Sequence, residues 1–241
     1  MTPDTTPSRD PAQTGRGPQL RFSRTDLERG PCRPLHEGRW ANAVVYTFES
    51  GGGRWVVKDF RPRSFLVRNL IGRLLIRRES RGLVKLAGVR GAPADAFRVD
   101  AFALAYRFAS GRGLRRFSGA LPAGFFPALE RTVLEMHARA RIVHLDMRNA
   151  DNILVTESGE PMLLDFQSHL GSHWMPAPLR RFVERIDLAA IYKHWRRRSP
   201  DTLGPERTAA LAAMNRLRPI WVLRGYIGSQ KPRGKKPAAR P

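Results

Sequence analysis

The chain has 241 residues, and its 43 lysines and arginines against 21 aspartates and glutamates give a net charge of +22. A hydrophobic content of 41% is typical of a folded protein and excludes a wholly disordered chain. The single cysteine, Cys32, excludes an intrachain disulfide and favours a reducing compartment. No secretory signal pattern and no apolar run of membrane-spanning length is present, so we expect a cytoplasmic protein. The excess of cations predicts an anionic partner, which by charge alone is a nucleic acid, a phosphorylated metabolite or an acidic lipid surface.

The first half of the chain is rich in predicted strands. Residues 1–20 contain many Pro, Thr and Gly residues and few apolar ones, which predicts a disordered leader. Beyond the leader, β-branched and aromatic segments separated by glycine-containing turns predict antiparallel strands. The predicted strands are 33–38, 42–49, 54–60, 96–99 and 101–107. Between the third and fourth of them, leucines that recur every four residues predict a helix over 64–90.

Helices dominate the predicted second half. The predicted helices are 126–140, 180–197 and 205–217, and the strand pair 153–155 and 162–164 interrupts them. Residues 229–241 are basic and contain prolines, which predicts a disordered tail. A strand-rich half followed by a helical half predicts an α+β fold of two lobes with a cleft between them. We place the N-lobe at 21–109 and the helical C-lobe at 110–228.

Polar residues cluster around the strand pair of the second half. The first strand ends the run VHLDMRNADNILV, residues 143–155, and the second strand continues into LLDFQ, residues 163–167. Because a β-hairpin brings the ends of its strands together, we expect Asn152 and Asp165 to lie side by side, with oxygens of the kind that Mg²⁺ prefers. Asp146 supplies a carboxylate that can orient a hydroxyl group and accept its proton. Each of these residues taken alone is also a common turn residue, but their joint pattern favours a site for phosphoryl transfer.

This motif resembles the catalytic loop and the metal-binding aspartate of protein-kinase-like phosphotransferases. The likeness is greatest to the small atypical branch, which contains the bacterial lipopolysaccharide-core (Kdo) kinases and the RIO-type kinases, and it covers residues 33–225. The resemblance implies a two-lobed protein-kinase-like fold with an ATP-binding N-lobe, and it implies ATP and Mg²⁺ as cofactors. It also implies that Asp146 is the catalytic base, that Asn152 and Asp165 bind the metal, and that His144 supports the loop.

The resemblance also leaves points open in this half of the chain. Asn152 follows Asp146 by six residues instead of the usual five, although it precedes Asp165 by the usual thirteen, so Asp151 remains a second candidate metal ligand. Gln167 stands where protein kinases have glycine, which disfavours a flip of the preceding Asp-Phe unit. Asp187 resembles the helix aspartate that holds the backbone of the catalytic loop, and a solvent-facing helix acid is the alternative.

In the first half, the resemblance implies a cation for the nucleotide phosphates and a carboxylate that positions it. Lys58 ends an apolar strand and is one of only six lysines in the chain, which favours a compact ammonium group chosen for phosphate. Glu79, the only acid between residues 60 and 94, is its expected partner, and a helix-surface salt bridge is the alternative. No glycine-rich phosphate-binding loop is present, so Gly38 alone is the candidate for close backbone approach, with a simple turn as the alternative.

The segment before Asp187 bears on the phosphate acceptor. Only twenty residues separate Phe166 from Asp187, and none of them forms the Ala-Pro-Glu motif that ends the peptide-docking segment of protein kinases. This favours a sugar, a lipid or another small hydroxyl acceptor, and the resemblance implies a lipopolysaccharide core. A RIO-type or other atypical protein kinase and a catalytically silent kinase-like module that binds an anionic ligand are the alternatives.

The cations of the predicted helix add a second candidate partner. Residues 61–90 carry nine cations and one acid, together with a row of apolar side chains. This composition is typical of a helix that lies on an anionic membrane, which would place the protein at the inner face of the membrane. A helix packed on the small lobe with a solvated arginine face fits equally well. Nucleic acid is disfavoured because the aromatic residues are not interleaved with the arginines.

Overall fold

The computed structural model describes residues 21–36 and 42–217. The predicted leader (1–20), the predicted tail (229–241) and Gly38 lie outside these ranges. The predicted phosphate-binding role of Gly38 therefore stays a prediction.

Five antiparallel strands form a sheet in the order β1-β2-β3-β5-β4. They are β1 (Cys32–His36), β2 (Val44–Ser50), β3 (Gly53–Asp59), β4 (Phe97–Arg98) and β5 (Ala103–Arg107). The β2–β3 hairpin turns at Gly51 and Gly52, both of which adopt positive φ angles that glycine reaches without strain. The five predicted strands are thereby confirmed within the described ranges, although the structure makes the last two shorter and residues 37–38 of the first lie outside those ranges.

Both faces of the central strand β3 are covered. On one face, Trp55 packs in an aromatic cluster with Phe22 and Phe97, next to a short helix, α1 (Arg24–Arg29). On the other face, Val56 belongs to the core that the sheet shares with the helices. Because side chains alternate along a strand, Lys58 lies on the same face as Val56. This alternation points Lys58 toward the helical part of the molecule.

The predicted helix over 64–90 is confirmed over most of its length. A π-helical segment, Val67–Gly72, continues directly into helix α2 (Arg73–Lys85). The helix buries Ile76, Glu79 and Leu83 and packs against β4 and β5. It ends five residues earlier than predicted, and Gly88 and Gly91, which follow it, take positive φ angles outside the helical region.

The second half is helical, as predicted, around short strands. The helices are α3 (Phe125–Glu135), which continues as a π-helical turn (Met136–Ala140), α4 (Ala177–Arg198) and α5 (Pro205–Leu217). The strands are β6 (Gly111–Gly113), β7 (Ile142–Val143), β8 (Ile153–Thr156), β9 (Pro161–Leu163) and β10 (Leu170–Gly171). β6, β8 and β9 form one small sheet, and β7 pairs with β10. The predicted helices and the predicted β8–β9 hairpin are confirmed.

One hydrophobic core joins the two halves. It includes Phe60 and Ile76 from the first half and Leu129, Leu163 and Trp195 from the second. The chain passes between the halves in the connection between β5 and β6, and the predicted lobe boundary between residues 109 and 110 falls in this connection. Within the described ranges, no helix combines the length and the apolar composition needed to cross a bilayer.

Candidate active site

The loop between β7 and β8 is held by a buried carboxylate. Asp187 of α4, which is 1% exposed, accepts backbone N–H bonds from His144 at 2.7 Å and from Leu145 at 2.8 Å. Leu145 has a φ angle of +66°, which is unfavourable for a branched residue and needs such support. The imidazole of His144, which is fully buried, donates to the carbonyl of Leu164 at 2.9 Å. Asp187 and His144 therefore tie the loop to helix α4 and to the end of strand β9.

The loop brings Asp146 and Asn152 into contact. The side-chain amide of Asn152 donates to the carboxylate of Asp146 at 2.9 Å and to its backbone carbonyl at 3.0 Å. Asp151 points elsewhere, because its carboxylate forms an ion pair with Arg115 at 3.1 Å. Of the two candidates that the sequence left open, Asn152 is thus the one that lies against Asp146. Burial raises the pKa of Asp146 above its ordinary value, which the Asn152 bond offsets in part.

Lys58 lies between two carboxylates. Its Nζ atom is 2.6 Å from Glu79 Oε1 and 2.8 Å from Asp165 Oδ1. Glu79 is 1% exposed, so the pair is removed from solvent, and burial raises the pKa of Glu79 even though Lys58 opposes this. Burial alone would lower the pKa of Lys58, but the two carboxylates outweigh it and raise that pKa. The geometry therefore pairs Lys58 with Glu79, and it also brings Asp165 from the second half to the same ammonium group.

Asp165 links the loop that carries Asp146 and Asn152 to the Lys58–Glu79 pair. It follows β9, and the backbone N–H of Leu164 bonds to the carbonyl of Asn152, which places Asp165 beside the start of β8. Burial alone would raise the pKa of Asp165, but the ammonium of Lys58 outweighs it and the pKa is lowered. Its φ angle of +60° lies in the left-handed region, a conformation that aspartate tolerates better than most residues. The side chain is 43% exposed, so its carboxylate remains accessible.

Helix α2 is fastened to the segment that follows Asp165. Arg78 donates through Nε to the carbonyl of His169 at 3.0 Å, and its guanidinium also bonds the carbonyl of Ser168. Gly82, one turn further along, packs against the imidazole of His169, where a Cβ atom would come within 2.7 Å. These contacts fix the turn of helix α2 that carries Glu79.

Some residues of this arrangement were not predicted from the sequence to belong to the site. His137 donates to Asp187 at 3.0 Å, and Asn149 donates to Asn152 at 3.2 Å. Tyr106 lies close enough to Lys58, Glu79 and Asp165 to interact with them electrostatically, and burial raises its pKa to about 12. Asn149 lies inside the motif of residues 143–155, so the sequence did contain a signal that it belongs to the site. His137 and Tyr106 carried none, because nothing in the local sequence of either residue places it beside the loop or beside the Lys58–Glu79 pair.

The donor set fits Mg²⁺ bound together with a nucleotide. Mg²⁺ is commonly held by one or two protein carboxylates and by substrate phosphates. Asp165 offers an accessible carboxylate, and the amide oxygen of Asn152 accepts one bond from Asn149 and keeps a second lone pair. Residues 21–36 and 42–217 contain no cluster of three or more His, Cys, Asp or Glu side chains that could hold a metal ion. A metal ion held by Asp165 and Asn152 would therefore take its remaining ligands from the nucleotide and from water.

A cavity of about 640 Å³ lies away from these residues. It is lined by the connection between β5 and β6, with Phe108 and Ala109, and by α3, with Arg131 and Thr132. None of the predicted site residues lines it. It is therefore separate from the candidate active site.

Solved structures with a similar fold exist. The Rio2 kinase from Chaetomium thermophilum is 18% identical with a TM-score of 0.54, over 78% of this chain and 65% of that chain. The Rio2 kinase-ADP/Mg²⁺-phosphoaspartate complex from the same organism is 17% identical with a TM-score of 0.52, over 78% and 63%.

The chain spans less than two thirds of the length of these two proteins. Its sequence matches no protein-family model and no curated protein. At this identity the similarity concerns the fold, and it does not support the predicted likeness to lipopolysaccharide-core kinases. Helices, antiparallel sheets and neighbours together show that the chain has an α+β, two-lobed protein-kinase-like fold.

Proposed function

We propose that this chain is an ATP- and Mg²⁺-dependent phosphotransferase that transfers the γ-phosphate to a hydroxyl group. The observation that carries the proposal is the Lys58 ammonium group, buried between Glu79 and Asp165 at 2.6 and 2.8 Å. A buried Lys–Glu pair on a sheet and a neighbouring helix is the arrangement that kinase-like enzymes use to position nucleotide phosphates. One solved neighbour is a complex with ADP and Mg²⁺, which supports the same ligands here.

Each residue of the site then has a role. Lys58 contacts the phosphates, and Glu79 fixes the position of its ammonium group. Asp165 and Asn152 hold Mg²⁺, which neutralises charge on the phosphates when it is bound. Asp146 orients the acceptor hydroxyl and accepts its proton, and a raised pKa makes its carboxylate a stronger base. His144 and Asp187 keep the loop in place.

The segment after Asp165 supports a small acceptor. Only eleven residues separate Asp165 from Ala177, the first residue of α4. They form a 3-10 turn and the two-residue strand β10, which pairs with β7, so no extended platform for a peptide lies there. We therefore propose a sugar or lipid hydroxyl as the acceptor. The fold of the Rio2 neighbours favours an atypical protein kinase as the second candidate.

The test is phosphate transfer by matched variants of the full chain. We expect wild-type protein with Mg²⁺ and ATP to release ADP and to be stabilised thermally by the nucleotide. Asp146→Asn should lower turnover by at least ~100-fold, the usual contribution of a general base, and keep the thermal shift. Asp151→Asn is the control, since that carboxylate points toward Arg115. Unchanged turnover in Asp146→Asn, or equal losses in both variants, would contradict the assignment.

Assays with different phosphate acceptors distinguish a sugar or lipid acceptor from a protein acceptor. Radiolabelled phosphate on a glycolipid or lipopolysaccharide-core extract, with no labelled protein, would support the sugar or lipid acceptor. Label on the chain itself or on added protein, with none on glycolipid, would favour the atypical protein kinase. A thermal shift with Mg²⁺ and ATP but no transfer in any arm would identify a silent nucleotide-binding module and refute both.

A further inference from the structure

An apolar row of helix α2 and of the turns before it faces solvent. Phe65, Leu66, Leu70 and Leu74 are 64–69% exposed, and Ile71 is 41% exposed. These five are nearly half of the eleven large apolar side chains that are exposed among residues 21–36 and 42–217. Leu66, Leu70 and Leu74 recur every four residues, so they share one side of the helix. The leucine periodicity that predicted the helix thus marks its solvent-facing side rather than its core.

The opposite side of the helix explains why this row stays outside. Ile76, Glu79 and Leu83 are buried, and Gly72 lies against the ring of Phe60. Those contacts, together with the bonds of Arg78 to the segment after Asp165, fix which side faces inward. Rotating the leucines into the core would expose Glu79 and separate it from Lys58. The exposed apolar side is therefore a fixed feature of this fold.

Cations flank the apolar row. Arg73, Arg77 and Arg81 are exposed and recur every four residues. Arg73 and Arg77 each lie three positions after a leucine of the row, which makes them its neighbours on the helix surface. In the part of the chain that the structure describes, no ion pair includes Arg73, Arg77 or Arg81. Arg73 lies over the ring of Phe102, 5.8 Å from its centroid, and still carries its charge at the surface. The charges of Arg77 and Arg81 are available for an external anion.

We propose that this side of the helix, formed by Phe65, Leu66, Leu70, Leu74, Arg73, Arg77 and Arg81, docks the protein on an anionic lipid bilayer. Apolar side chains at such a surface insert at the boundary between headgroups and acyl chains, while long cationic side chains reach the phosphate groups. Each additional cation near an acidic membrane strengthens binding about fivefold. The inference extends beyond the proposed activity and does not depend on it.

Charge distinguishes a bilayer from the other occupants. In a symmetric dimer through this surface, the same arginines of both copies would face each other, and like charges oppose such contact. Single-stranded nucleic acid would satisfy the arginines, but it stacks on aromatic rings and gains little from a row of leucines. An anionic bilayer presents acidic headgroups above apolar acyl chains. It therefore complements both the apolar row and the arginines beside it.

The test is co-sedimentation of the full chain with vesicles. One vesicle type contains phosphatidylcholine alone and the other contains phosphatidylcholine with phosphatidylglycerol. We expect binding to the second type only, weakened at least tenfold in L66Q/L70Q/L74Q and about a hundredfold in R73Q/R77Q/R81Q. Matched controls on the helical part are L134Q/L179Q/L217Q and R185Q/R196Q/R197Q, which remove exposed leucines and arginines elsewhere. The melting temperature and the circular dichroism spectrum report whether each variant is folded.

Three outcomes would overturn the proposal. Equal binding of the wild-type protein to both vesicle types, or binding to neither, would exclude docking on an anionic bilayer. Equal affinity of the row variants and the control variants would assign binding to another part of the chain. Concentration-dependent self-association that L66Q/L70Q/L74Q abolishes, without vesicle binding, would identify the surface as a dimer interface.

Discussion

Replacing Asp187 tests how helix α4 holds the loop that carries Asp146. The Asp187 carboxylate accepts the backbone N–H groups of His144 and Leu145 and a bond from the His137 ring, all at 2.7–3.0 Å. Asp187→Asn keeps one acceptor oxygen and turns an amide N–H₂ toward the remaining donors. Asp187→Ala removes both acceptors. Asp187→Asn therefore removes one of the two backbone contacts that hold the loop, and Asp187→Ala removes both.

The expected losses follow from these contacts. A hydrogen bond to a charged group contributes about 1.5–3 kcal/mol, so Asp187→Asn should lower the free energy of unfolding by that amount and Asp187→Ala by up to twice as much. Leu145, with φ at +66°, would then relax from its strained conformation, whose cost is about 1–3 kcal/mol, and the loop would move. A displacement of Asp146 by about 1 Å is enough to lower phosphate transfer by about 100-fold.

Chemical unfolding, thermal unfolding and transfer assays check this prediction. We expect Asp187→Asn to lower the melting temperature by about 5–10 °C and to keep the thermal shift with Mg²⁺ and ATP, because Lys58, Glu79 and Asp165 are not altered. Asp201→Asn, which changes an exposed carboxylate of the same half, is the control. Wild-type stability and turnover in Asp187→Ala would refute the inferred support of the loop.

Two further predictions concern buried groups. Lys58→Met leaves Glu79 buried without its cation and should lower the free energy of unfolding by about 3–5 kcal/mol, whereas Lys58→Met/Glu79→Leu should recover most of that loss in urea unfolding. A double variant no more stable than the single one would contradict this coupling. Burial lowers the pKa of His194, which donates to the Met147 carbonyl at 3.0 Å. The unfolded histidine therefore binds the proton more readily, so stability should fall as the pH drops below about 6.5, and His194→Gln should flatten this fall between about pH 7 and pH 5. An unchanged pH dependence in His194→Gln would contradict the assigned burial.

Local patterns predicted most of the elements. The alternation in β2 and β3, the glycines between them and the periodicity of the later helices depend on neighbours along the chain, so the sequence displays them directly. Helix α1 and the strands β6, β7 and β10, which have two to six residues, were not predicted. The early end of α2 also depends on glycine backbone angles, which the residue type permits but does not impose.

In the candidate site as well, the sequence indicates the residues, whereas the fold creates the contacts between them. The motif that resembles kinase-like proteins pointed to Asp146 and Asp165, and that resemblance together with the scarcity of lysine pointed to Lys58 and its partner Glu79. Such signals are visible along the chain. The contacts between these residues are not visible there: Lys58 and Asp165 are 107 positions apart and meet only when the second half packs against the sheet. The choice between Asp151 and Asn152 also required the direction of each side chain.

The sequence by itself determined the α+β class, the order of the main elements and the residue types available for chemistry. Tertiary structure alone decided which side of helix α2 is buried, because Glu79 must reach Lys58 and Gly72 must reach Phe60. Periodicity identifies an apolar row but not the partner that covers it. In this chain the long-range contact between Lys58 and Glu79 turns the leucine row toward solvent. The arginines beside the row, which carry part of the positive charge, face solvent with it.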